Sequence, residues 1–118
     1  MNLSTLSPEI DLETTLDRLC GDSALLLEIL DLFLAEFSAE SEQLLTRVNT
    51  SEFAELASKA HYFKGIAQNL GLVNFHPNII ALEQAAKRGD AAACLEAIDL
   101  LNKTAAHLLS LRKDAAAA

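Results

Sequence analysis

Residues 60–71 read Ala60-His61-Tyr62-Phe63-Lys64-Gly65-Ile66-Ala67-Gln68-Asn69-Leu70-Gly71, and their spacing is helical. An α-helix advances about 100° per residue, so His61, Lys64, Gly65 and Gln68 fall within a wedge of roughly 100°. Leu56, Ala60, Phe63, Ala67 and Leu70 group in a different wedge, centred more than a quarter turn away. The apolar wedge is the side that packs. The stretch therefore predicts a helix that points an imidazole and an ammonium outward, and it stops at Gly71, where a left-handed C-terminal position suits glycine.

On both sides of this helix the same periodicity recurs along the chain. Ser7-Pro8 reads as an N-cap followed by proline in a first turn, with Ile10, Leu12, Leu16 and Leu19 on the apolar side of a short helix ending at Gly21. Asp22 or Ser23 is placed to cap a long second helix, whose Leu26, Leu27, Leu30, Phe33, Leu34, Phe37, Leu44, Leu45 and Val48 repeat to about Asn49. The helix of His61 runs roughly from Glu52 to Leu70. Pro77 opens a fourth that ends at Gly89, and Asp90 caps a fifth through Leu95, Ile98, Leu101, Leu108 and Leu109. Short links between long amphipathic helices make antiparallel neighbours. The expected fold class is all-α: an antiparallel up-down-up-down four-helix bundle with a short additional N-terminal helix, and residues 113–118 as a frayed tail.

Composition narrows the class of function. The chain has 118 residues, enough for one core and one domain. A hydrophobic content of 51% with only 4 Gly and 2 Pro favours packed helices over a sheet. The net charge of −8 leaves no basic stripe for nucleic acid or an anionic membrane, so a protein partner is expected. No apolar run approaches a membrane span, and Met1-Asn2-Leu3-Ser4 lacks the regions of a signal peptide, which points to the cytoplasm. Cys20 and Cys94 show no metal-ligand spacing and are read as buried free thiols.

At His61, Lys64, Gly65 and Gly71 the sequence resembles the histidine-containing phosphotransfer (HPt) domain family, whose signature is a helical His-x-x-Lys-Gly with a second glycine six residues on. The likeness extends to Gly21-Asp22 before the long helix and to Leu82-Glu83 through Gly89-Asp90, covering roughly residues 11–112. The resemblance implies a phosphoryl carrier in a two-component phosphorelay. His61 would accept the group from an aspartyl-phosphate receiver domain, or from a sensor histidine kinase, including a hybrid one fused to a receiver, and pass it to another response-regulator receiver. Mg²⁺ would be held by the receiver, and a monomer is the family's usual state.

The residues support that chemistry. Imidazole has an ordinary pKa of about 6.5, so an exposed ring is a ready nucleophile near neutrality. The chain has no glycine-rich phosphate loop, no paired metal carboxylates and no kinase motif, so no nucleotide site or cofactor of its own is expected, and no enzymatic activity. Phosphoryl transfer demands alignment and charge stabilisation, for which Lys64 stands one turn beyond His61. Gly65 and Ala57 would keep the surface low for an approaching partner. Glu83, by its place in the family pattern, would orient the imidazole, with Gln84 as the alternative if the helix phase slips by one. Lys87 and Gln68 would border the phosphoryl group, although Glu83 and Lys87 also read as an ordinary i,i+4 ion pair. His76, placed in a loop, and His107 are expected to be structural or solvated. Tyr62 departs from the small hydroxyl residue frequent after the family's histidine.

Other classes fare less well. A carboxylate-histidine metal enzyme of the bundle type would need Glu-x-x-His pairs, and the chain has none. A docking module of the same fold that works without phosphorylation, and the phosphoacceptor domain of a chemotaxis-type kinase, are the remaining alternatives.

Overall fold

The computed structural model describes residues 2–117 as an all-helical protein. A 3₁₀ turn, Leu3–Leu6, precedes five α-helices: α1 Leu12–Arg18, α2 Ser23–Asn49, α3 Phe53–Leu70, α4 Phe75–Arg88 and α5 Ala91–Ala117. Among the described residues there is no strand, only an isolated antiparallel bridge between Ile10 and Leu72. The Asp22 side chain caps α2 through Leu25 N at 3.0 Å, and Asp90 caps α5 through Ala93 N at 3.1 Å. α3 and α4 both stop at glycines in the left-handed region, Gly71 (φ 64°) and Gly89 (φ 67°).

The core is built on four phenylalanines. Phe33 and Phe37 of α2, Phe63 of α3 and Phe75 of α4 meet mostly edge to face, with Phe33 and Phe75 centroids 4.9 Å apart and Phe37 and Phe63 5.3 Å apart. Phe63 is two residues beyond His61, so locking its ring in the core turns His61 about 200° away, into solvent. Ala60 and Ala67 on α3 and Ala85 and Ala86 on α4 are buried, and their small side chains let these two helices approach closely. That approach lets a side chain on α4 reach the histidine of α3.

Several expectations need correction. The short first helix does not begin at Ser7-Pro8. Ser7 ends the 3₁₀ turn and Asp11 caps α1. Between them the backbone is drawn away from helix by the α3–α4 connection: Asp11 N donates to Gly71 O at 2.9 Å and Val73 N to Glu9 O at 2.9 Å. α4 starts at Phe75, which puts Pro77 in its first turn, where a missing N–H costs nothing, and makes half-buried His76 helical. The expected frayed tail continues as helix to Ala117; Ala115 is fully buried and its carbonyl accepts from Asn2 N at 3.0 Å, while Ala118 lies outside the described residues. Cys20 is exposed, with a left-handed backbone (φ 55°) at the end of α1, whereas Cys94 is buried and its thiol is pushed up by burial. Leu45, Leu95 and Leu109 are exposed because each directly follows a fully buried residue, Leu44, Cys94 or Leu108, and is rotated about 100° out of the core.

Candidate functional site

His61, Lys64, Glu83 and Lys87 come together on the α3–α4 seam. The His61 side chain is 70% exposed, and its Nδ1 lies 2.9 Å from Oε2 of Glu83, whose side chain is only 6% exposed. Lys64 Nζ donates to the other carboxylate oxygen, Oε1, at 2.6 Å, and Lys87 Nζ stands 3.7 Å from Oε2. One buried carboxylate thus serves an imidazole and two ammonium groups from two helices. Neighbouring Gln84 is exposed, so the phase of α4 selects Glu83 over the alternative.

The electrostatics fix the tautomer. The hydrogen bond from Lys64 holds Glu83 below the usual carboxylate range, opposed by burial and reinforced by His61 and by the charges of Lys64 and Lys87. An ionised carboxylate only accepts hydrogen bonds, so the neutral His61 ring carries its proton on Nδ1. The Nε2 lone pair is then free and the ring is aimed at solvent, as in other histidine sites oriented by a carboxylate. Lys64, with a side chain 28% exposed, is stretched against Glu83 rather than standing free above the imidazole.

Gly65 lies beside His61 on the exposed face, and a Cβ placed there would meet nothing within 4 Å. Its lack of a side chain is therefore not demanded by packing inside this protein. Gly71 is the opposite case, since a Cβ would collide with Thr15 Oγ1 and crowd Asp11 O at 3.3 Å, on a backbone already at positive φ. There α1 seals the end of α3: Thr15 Oγ1 donates to Leu70 O at 2.9 Å and Arg18 Nη2 to Gln68 O at 3.1 Å. Ala57, one turn before His61, is half-buried.

Gln68 is not brought to the imidazole. It stands two turns beyond His61, about 10 Å along the axis, and borders a shallow depression with Asp11, Leu72, His76 and Pro77. Two polar pairs were beyond sequence reading, because their members are 26 and 98 residues apart. Tyr62 Oη donates to Glu36 Oε2 of α2 at 2.6 Å, which raises the phenol above its usual range. His107 Nδ1 pairs with buried Glu9, which also accepts from Asn74 Nδ2 at 3.1 Å. The unusual Tyr62 was the one local signal for the first pair.

Among the described residues no helix is long and apolar enough to cross a membrane, and no cluster of His, Cys, Asp and Glu is arranged to hold a metal ion. A family model described as the Hpt domain matches residues 28–112. Comparison with curated proteins and with solved structures returns no match.

Proposed function

The chain belongs to the Hpt domain family, whose members carry phosphoryl groups on histidine in phosphorelays, and on that premise we propose that His61 is the carrier residue. The observation that carries this reading is an imidazole 70% exposed whose Nδ1 is held by a buried carboxylate, leaving Nε2 as the free nucleophile. The donor would be the aspartyl phosphate of a receiver domain or of a hybrid sensor kinase, and the acceptor a second response-regulator receiver. The magnesium ion that such receivers use belongs to the partner.

In the transfer the Nε2 lone pair forms the N–P bond as the O–P bond of the acyl phosphate breaks, and the aspartate departs as carboxylate. Nδ1 keeps its proton, so the phosphorylated ring is cationic and Glu83 faces that charge directly. Lys64, bound to the same carboxylate as the imidazole, would exchange Glu83 for an equatorial phosphoryl oxygen, whose charge would replace that of its present partner. Lys87 adds positive potential at the α4 edge. The helices would form an up-down-up-down bundle that acts as a rigid platform, working as a monomer in the cytoplasm, and catalysis of the transfer would rest with the partner.

The test is phosphoryl transfer from phosphorylated receivers to the protein and to its His61→Gln variant, followed by intact mass. Acid-labile, base-stable phosphate on the wild type alone is the expected result. Label that persists in His61→Gln would move the acceptor elsewhere. Label obtained only from a kinase with ATP would reassign the domain to a kinase's own phosphoacceptor module.

A further inference from the structure

The face of α3 around His61 is chemically two-sided. Towards α4 stand the cations Lys64 and Lys87; towards α2, one residue and about 100° round the helix, stands Tyr62. The Tyr62 side of the site is not used by the chemistry above. Its ring is half exposed, yet it is fixed at two points: edge on to Phe63, with centroids 5.3 Å apart and planes at 72°, and through its hydroxyl to Glu36.

That pairing also sets what lies next to it. Tyr62 with Glu36 and Lys59 with Glu40 run in opposite order along the two helices, so α2 and α3 are antiparallel here. One turn further on, Ile66 of α3 follows Tyr62 and Leu32 of α2 precedes Glu36. Leu32 is 60% exposed, the most exposed of the large apolar side chains among the described residues, and half-buried Ile29 follows on the same stripe of α2. Tyr62 is therefore the end of an apolar strip that starts beside the nucleophile, with an acid at its border.

We infer that Tyr62, tethered by Glu36, is a recognition residue that decides which receiver domain docks over His61, while taking no part in the transfer itself. The inference rests on the relay reading for its occupant. Any receiver that brings phosphorus within bonding reach of Nε2 must also cover a side chain one residue away. A pre-positioned tyrosine offers contact area at little cost in conformational entropy. Glu36 supplies the discriminating element, because a receiver with an apolar residue over the ring and a basic one beside Glu36 is matched, whereas an acidic residue there is repelled.

The experiment titrates a panel of receiver domains, activated with beryllofluoride, into wild type, Tyr62→Phe, Tyr62→Ser and Glu36→Gln by calorimetry. Phosphoryl transfer at saturating receiver is measured in parallel. All three substitutions are at exposed positions and leave the core intact. Tyr62→Ser is expected to weaken the tightest receivers about tenfold and to compress the spread of affinities across the panel, with saturated transfer rates within about twofold. Tyr62→Phe should fall between, and Glu36→Gln should relax discrimination against receivers with an acidic contact face. Affinities unchanged for every receiver, binding by no receiver, or a saturated rate that falls as far as binding does would each overturn the inference. Receivers that bind wild type but pass no phosphate would overturn the relay alone, since the affinities still report on Tyr62.

Discussion

Glycine in the middle of a helix costs about 1 kcal/mol relative to alanine, and Gly65 incurs that cost with no internal reason for it. Apart from its own turn of helix, a Cβ at this position meets nothing within 4 Å, so Gly65→Ala should stabilise the fold by about 1 kcal/mol. For a domain of this size that is a rise of about 3–5 °C in Tm. The same methyl group stands on the surface a partner must cover to reach His61. Reacting atoms must come within about 3–3.5 Å, and a displacement near 1 Å costs on the order of a hundredfold in rate. We expect Gly65→Ala to slow transfer by about ten- to a hundredfold, and Gly65→Gln to slow it further while remaining as stable as the alanine variant. Thermal unfolding by circular dichroism and single-turnover transfer from a phosphorylated receiver measure both quantities on one sample. A lower Tm would show that the protein itself needs this glycine; a rate within twofold of wild type would refute the argument from partner access.

Gly71→Ala should behave in the opposite way, losing about 2 kcal/mol or more in urea unfolding, because the positive φ and the overlap with Thr15 and Asp11 act together; a loss under about 0.5 kcal/mol would mean that the α1 seal yields easily. Glu83→Gln keeps an oxygen to accept from Nδ1 but frees Lys64, so transfer should slow less than in Glu83→Ala, and ¹⁵N shifts of His61 should show the Nδ1–H tautomer retained only in the former. Because the Glu83 carboxyl is held below its ordinary value of 4.5, its contribution to stability is fully present above that pH and is lost as pH falls through the depressed value. The stability gap between wild type and Glu83→Gln should therefore be constant near neutrality and narrow in acid, and a gap that widens in acid would contradict the assignment. Lys64→Ala should slow transfer about tenfold or more with little change in fold, and an unchanged rate would remove Lys64 from the chemistry.

Local rules made much of the molecule legible. The α2 and α5 caps at Asp22 and Asp90, the glycine stops at 71 and 89 and the outward phase of His61 all follow from spacings of a few residues, which helical geometry reads directly. The structure departs from local preference where a distant segment overrides it. Ser7-Pro8 has the chemistry of a helix start, but the backbone bonds from Asp11 and Val73 hold that segment against the α3–α4 connection instead. Leu45, Leu95 and Leu109 fit the apolar periodicity yet are exposed, because an apolar residue adjoining a buried one has no local mark that says which of the two faces the core.

The helices, their polarity and the identity of the exposed histidine follow from the order of residues alone, since those depend on a 3.6-residue period and on side-chain chemistry within one or two turns. Packing between helices is what makes Glu83 rather than Gln84 hold the imidazole, gives Lys64 the same carboxylate and ties Tyr62 to Glu36. These are contacts between helices, set by the close approach of α3 and α4 over alanines and by the phase at which four phenylalanines lock the core. Neither the distance nor the rotation of two packed helices is encoded in the spacing along either one.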